Sequence, residues 1–196
     1  MSVYNKIFVC FVVLTSIIIF SGCETVRIST SEVMQQPEGT KYYLAHNLWT
    51  NGRHKISSIN YQYGSVLPFG TEVKILDISK NEIKFQVVPS GYKYTIKYYE
   101  KYAMEPIQEY LKKLITTESR SELAKGVSSE FLDAMLRGKV LPGMTRKEVI
   151  LTYGPPSPHR TPSLLNPTWV YWLRRWPVSI TSRVVFKGDK VLQVMK

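Results

Sequence analysis

The densest set of residues that could do chemistry lies in PGMTRKEVILTYGPPSPHR, Pro142 to Arg160, where Thr145, Glu148 and His159 are of the types used in acid–base and nucleophilic catalysis. Their spacing points elsewhere. A Thr followed three residues later by Glu is a capping box, in which the hydroxyl accepts from one amide and the carboxylate reaches back to another. Met144 and Val149 stand where a hydrophobic staple closes around such a cap. Gly154 occupies the left-handed position that ends a helix, and Pro155-Pro156 cannot extend it. His159, among Pro158, Arg160 and Pro162, reads as an exposed loop residue. Outside this stretch, His46 and His54 flank Trp49, but two histidines do not specify a metal. No paired carboxylates at a useful spacing and no Gly-rich phosphate loop are visible, so the expectation is a non-catalytic protein without cofactor or metal.

The compartment is written at the start of the chain. Asn5-Lys6 precedes 14 uncharged residues, Ile7 to Phe20, short for a membrane span and right for the apolar core of a signal peptide. The exit, Phe20-Ser21-Gly22-Cys23, resembles a bacterial lipobox. That resemblance implies acylation of Cys23, a mature chain starting there and loss of Cys10. A disulfide, a Cys-ligated metal and a Cys nucleophile are then excluded together. Glu24 after the Cys is similar to lipoproteins sorted to the outer membrane, so the expected location is that membrane, lipid-anchored and facing the periplasm.

A net charge of +11 in 196 residues predicts attraction to acidic surfaces. With export, nucleic acid drops out, leaving anionic phospholipid, lipopolysaccharide head groups and envelope proteins.

The elements that position these residues follow from periodicity. Beyond the signal peptide, 1–22, residues 23–40 lack a sustained pattern and read as a flexible tether. From 41 to 103 the period is two: TEVKILDIS, NEIKFQVV and YKYTIKYY alternate apolar and polar positions and predict three consecutive strands. Apolar pieces at Tyr43 to Trp49 and Ile56 to Tyr61 add two candidate strands, making a small antiparallel β-barrel or meander. The PFGTEV entry, Pro68 to Val73, is weakly similar to Src-homology-3-like bacterial domains. In EPIQEYLKKLITTE the period becomes helical, with Ile107, Tyr110, Leu111, Leu114 and Ile115 on one face. Residues 104–127 are read as a helical linker. Residues 128–196 carry a short helix from Ser129, the capped helix, and strands at Thr168 to Leu173, Ser179 to Lys187 and Lys190 to Met195. The fold class expected is therefore α+β.

Gly143-Met144-Thr145, Val149, Gly154-Pro155-Pro156, Trp169-Val170-Tyr171 and the closing Val185-Phe186 resemble, in order and spacing, the SmpA/OmlA (BamE-like) family of outer-membrane lipoproteins. The resemblance covers Gly143 to Val194. It implies a two-layer ααβββ domain that binds partners, among them the β-barrel assembly machinery and anionic phospholipid, without catalysis. Tyr153 stands where the family usually has Leu, and short members lack a preceding β domain. Two other functions fit an envelope lipoprotein: a cell-wall or secretion-system binding module, and an inhibitor-like protein of an envelope enzyme.

Two surfaces are candidates for binding. Trp172, Arg174, Arg175 and Trp176 combine the residue types enriched at interface hot spots and lipid head groups. Lys93, Lys97 and Lys101 form a basic stripe that suits anionic lipid, or that guards an edge strand against aggregation.

Overall fold

The computed structural model describes residues 28–174 and 180–196, in an α+β arrangement. Its first half is built on strands β1 (Tyr42–Leu44), β2 (Leu48–Thr50), β3 (Lys55–Ser57), β4 (Ser65–Leu67), β5 (Glu72–Ser79), β6 (Glu82–Val87) and β7 (Lys93–Lys97). The three strands read from alternation, β5, β6 and β7, pair antiparallel as expected. Their register lines up Ile78, Ile83, Ile96 and Ile56 across one face, all at most 3% exposed. A bulge between Ile75 and Asp77 shifts the phase in β5 and leaves Leu76 exposed.

Of the antiparallel barrel or meander expected from sequence, β5, β6 and β7 form the meander, and the rest of the sheet departs from it. Six strands follow the order β3-β7-β6-β5-β1-β8, and β3 joins β7 in parallel. Strand β8 (Ile115–Thr116) pairs with β1 and comes from the segment read as a linker. No pairing joins β3 to β8 among the described residues, so the sheet is open. Strands β2 and β4 pair separately.

Helices α1 (Thr30–Met34), α2 (Glu100–Ala103) and α3 (Ile107–Leu114) accompany this sheet. The amphipathic face of α3 buries Ile107, Tyr110, Leu111 and Leu114 in the same core as Leu44, Phe85 and Ile96. An apolar helical stripe needs a partner, and the uncovered sheet face is the nearest. Residues 104–127 are thus part of the structure rather than a linker. The tether is shorter than expected too. Ile28, Val33 and Met34 pack against this first core, and the Ile28 amide donates to Ile78 O at 3.4 Å.

The second half contains α4 (Arg120–Leu123), α5 (Ser129–Leu136), α6 (Arg146–Tyr153) and an antiparallel sheet of β9 (Thr168–Arg174), β10 (Ile180–Lys187) and β11 (Lys190–Met195), with β10 central. Met135, Met144, Val149, Trp169 and Val184 form its core, each 0% exposed.

That core is completed from the first half. Trp49 of β2 and Phe69, which precedes β5, are members of it. Between Phe69 and Thr71 the chain turns at Gly70 with φ 67°, where a Cβ would lie 2.4 Å from Arg120 Cβ, so only glycine fits. The two halves share a seam and are not beads on a string.

Candidate binding sites

The capped helix forms as its residues require. Thr145 Oγ1 accepts from the Glu148 amide at 3.2 Å, and Glu148 Oε2 accepts from the Thr145 amide and hydroxyl. Glu148 is only 9% exposed, and both of its partners are local. Met144 and Val149 are fully buried beside it. These residues build the helix start. The helix end differs in detail from the left-handed expectation: Gly154 has φ 80° and ψ 173°, and its missing Cβ leaves room for His46, whose Nδ1 would lie 3.0 Å away. His159 is exposed, with its ring 5.8 Å from Tyr102.

Arg146, the first residue of α6, organises the loop before β9. Its Nη1 donates to Leu164 O at 2.6 Å and Asn166 O at 3.0 Å, while the guanidinium lies 4.2 Å from the Phe186 ring centre and 5.2 Å from Trp169. The loop so held displays Leu165, 88% exposed.

The surface expected at the end of β9 is partly covered. Trp169 and Tyr171 face the core as read from alternation. Trp172, on the other face, is half-buried: its carbonyl accepts from the Gln62 amide at 3.0 Å, and the Arg160 guanidinium sits 5.1 Å from its ring. Its indole N–H is enclosed without a partner among the described residues. The backbone of Arg174 pairs with Ile180, whereas Arg175 and Trp176 lie outside the described residues.

The lysine stripe changes character. Strand β7 lies inside the sheet, so Lys93 and Lys97 guard no edge. Both are exposed on the outer face, and Lys101 continues from α2. Register adds neighbours that no single strand reveals. Lys93 aligns with Gln86 and Lys74, and Lys55 aligns with Thr95 and Lys84. The result is a basic sheet face, offset by the Lys84–Asp77 ion pair at 3.3 Å and by Glu82 opposite Lys97.

The seam holds a polar cluster hidden from the sequence. Asn47, 0% exposed, donates from Nδ2 to Met135 O at 2.7 Å and accepts at Oδ1 from the Phe69 amide at 2.8 Å. Asn60, with φ 54°, donates to Asn47 O at 2.9 Å and Tyr153 O at 3.2 Å and accepts from the Trp49 amide. Next to them, His46 is 4% exposed and donates from Nδ1 to Asn47 O at 3.0 Å. Burial lowers its proton affinity, with the Asn47 carbonyl opposing the shift in part. His54 is elsewhere, stacked on Tyr94 at 4.9 Å, so the two histidines share no site. Among the described residues no group of three or more His, Cys, Asp or Glu is placed to hold a metal.

Along the seam runs a cleft of about 60 Å³, lined by His46, Tyr102, Tyr110, Lys113 and the segment Pro155 to Pro158. The Tyr110 hydroxyl is buried in its wall without a partner among the described residues. Burial raises its pKa above the ordinary tyrosine value, helped by Tyr98 and Glu105.

No family model, curated protein or solved structure matches this chain. No helix among the described residues is long and apolar enough to cross a membrane.

Proposed function

We propose that the chain is a non-catalytic outer-membrane lipoprotein, anchored through Cys23, whose second half is an SmpA/OmlA-type two-layer ααβββ module acting as a binding subunit in β-barrel protein assembly. The observation that carries this reading is the convergence of the residues of the resemblance. Met144, Val149, Trp169, Tyr171 and Phe186 meet in one core, behind two helices and in front of three antiparallel strands.

The departure at Tyr153 supports it as well. Tyr153 is 5% exposed and edge-on to Trp49 at 5.9 Å and to Tyr171 at 5.2 Å. The larger ring reaches the extra β half, so the unusual residue and the unusual domain belong together. Partner contact is assigned to the end of β9, with Trp172, Arg174, Arg175 and Trp176, and anionic head groups to the basic face of Lys93, Lys97 and Lys101. Cys23 lies outside the described residues.

Affinity capture of the native lipoprotein from detergent-solubilised envelopes tests this function. Co-purification of the β-barrel assembly proteins, lost in an Arg174→Glu/Arg175→Glu variant, is the expected result. Recovery of peptidoglycan or secretion components in their place overturns it. Labelling with palmitate tests the anchor, and a Cys23→Ala variant that still takes up label removes the lipid attachment.

A further inference from the structure

An anchor on Cys23 would hold the folded chain on a short leash. Only Glu24, Thr25, Val26 and Arg27 separate Cys23 from Ile28, which already packs on the first core with its amide 3.4 Å from Ile78 O. Five Cα steps span at most about 18 Å, whatever path they take, whereas a compact chain of this size is roughly 40 Å across. Acyl chains at Cys23 therefore choose which part of the molecule meets the bilayer. It is the part around Ile78, at the end of β5.

What stands there suits lipid. Ile28 lines one surface hollow with Ile75, Leu76 and Asp77, and a second with Lys80 and the start of α3. Leu76 is 42% exposed because the bulge makes it the extra residue of β5: Ile75 aligns with Phe85 and Asp77 with Lys84, and Leu76 has no partner in the register. A bulge re-aims a side chain, here a large apolar one, at the place where the leash ends. Ile28 and Ile75 are half-buried beside it, so the apolar surface is a small patch rather than one stray leucine. Lys74 and Lys80 flank it along the chain, both exposed and neither in an ion pair among the described residues. Asp77, between them, is paired with Lys84 at 3.3 Å. Apolar surface between free cations matches the boundary layer of an anionic bilayer, where lysines meet head groups and a leucine meets the acyl chains. A partner's apolar pocket would also fit the leucine. The leash decides, because it keeps lipid within reach of every copy.

We propose that, given the Cys23 acylation proposed above, the Leu76 bulge is the bilayer-contact site: Leu76 enters the interfacial layer of an anionic membrane, and Lys74 and Lys80 bind its phosphates. Lys74, in register with Lys93 through Gln86, joins this contact to the basic outer face.

The test replaces Leu76 by a diazirine amino acid in the full chain, grown with labelled palmitate and irradiated in native envelopes. Mass spectrometry of the palmitate-labelled chain identifies what the diazirine captured. Phospholipid adducts are expected at 76 and few at 112, because Lys112 is exposed on α3, which covers the opposite face of the sheet. Both positions are exposed, so the replacements leave the cores intact. Lys74→Glu with Lys80→Glu should lower the lipid adduct at 76 at least about fivefold, since one lysine near an anionic surface is worth roughly that factor. Four outcomes overturn the site while leaving the anchor intact: addition of water alone at 76, capture of another protein there, equal lipid capture at 112, or a lipid yield indifferent to the charge reversals. A chain that takes up no palmitate overturns the anchor and the site together.

Discussion

Replacing Asn47 by Ala tests whether the seam is what makes the two halves one cooperative structure. The substitution strips the Phe69 amide of its acceptor at 2.8 Å in a place where Phe69 is 0% exposed. An orphaned buried donor costs about 1 to 3 kcal/mol. Met135 O loses the Asn47 contact but keeps the Gly138 amide at 2.8 Å, so its share is smaller, about 1 kcal/mol. The expected total is roughly 2 to 4 kcal/mol, a melting-temperature drop on the order of 5 to 15 °C for a chain of this size. Asn47→Asp should do no better, since a carboxylate oxygen would face the Met135 carbonyl 2.7 Å from the present donor. Urea unfolding followed by tryptophan fluorescence and by far-ultraviolet circular dichroism is the assay. Trp49 and Trp169 both report the second core, whereas circular dichroism reports both halves. The two signals should coincide in the parent chain, and the midpoint should fall in Asn47→Ala with an unchanged slope. A loss below about 1 kcal/mol, or separate transitions in the parent, would refute the reasoning about the seam.

Other expectations follow from the same geometry. His46 has a lowered folded-state pKa, so the unfolded chain binds more protons just below the ordinary value of 6.5. Its contribution is fully present above 6.5 and is lost as pH falls from there towards the folded pKa; the slope, at most about 1.4 kcal/mol per pH unit, should shrink in His46→Asn in pH-dependent unfolding. Thr145→Ala should cost about 1 to 2 kcal/mol through the lost cap, and Thr145→Ser much less, by thermal denaturation. Arg146→Ala should free the loop it holds, seen as faster hydrogen exchange at the Leu165 and Asn166 amides, with Arg146→Lys failing to restore protection because an ammonium lacks the planar guanidinium that rests on Phe186 and Trp169 while its Nη1 donates to the loop.

What the sequence disclosed was what local rules determine. Alternation in EIKFQV and the helical stripe from Ile107 to Leu114 gave their elements and buried faces, and Thr145 with Glu148 gave the cap, because each signal is complete within a few residues. The parallel pairing of Ile56 with Ile96, the two-residue strand at Ile115 and the docking of Ile28 on Ile78 were not legible. They depend on which distant backbone edge or apolar face is left vacant. The basic face needed the register of four strands before Lys55, Lys74 and Lys84 could join Lys93. At the cleft, Tyr110 could be read as a core residue of its helix, but that its hydroxyl lacks a partner is a property of the packed neighbours alone.

The loan of Trp49 and Phe69 to the second core has a consequence for how such a chain can arise and be dissected. Neither half is a ready-made cassette. A fragment of 128–196 would expose the surface that Trp49 covers near Gly138, where a Cβ would fall 2.8 Å from the indole, and would orphan the Met135 face that Asn47 ties down. Recombination that swaps one half among relatives must bring matching residues at 47, 49, 69, 138 and 153 together, so these positions should travel as one inherited block.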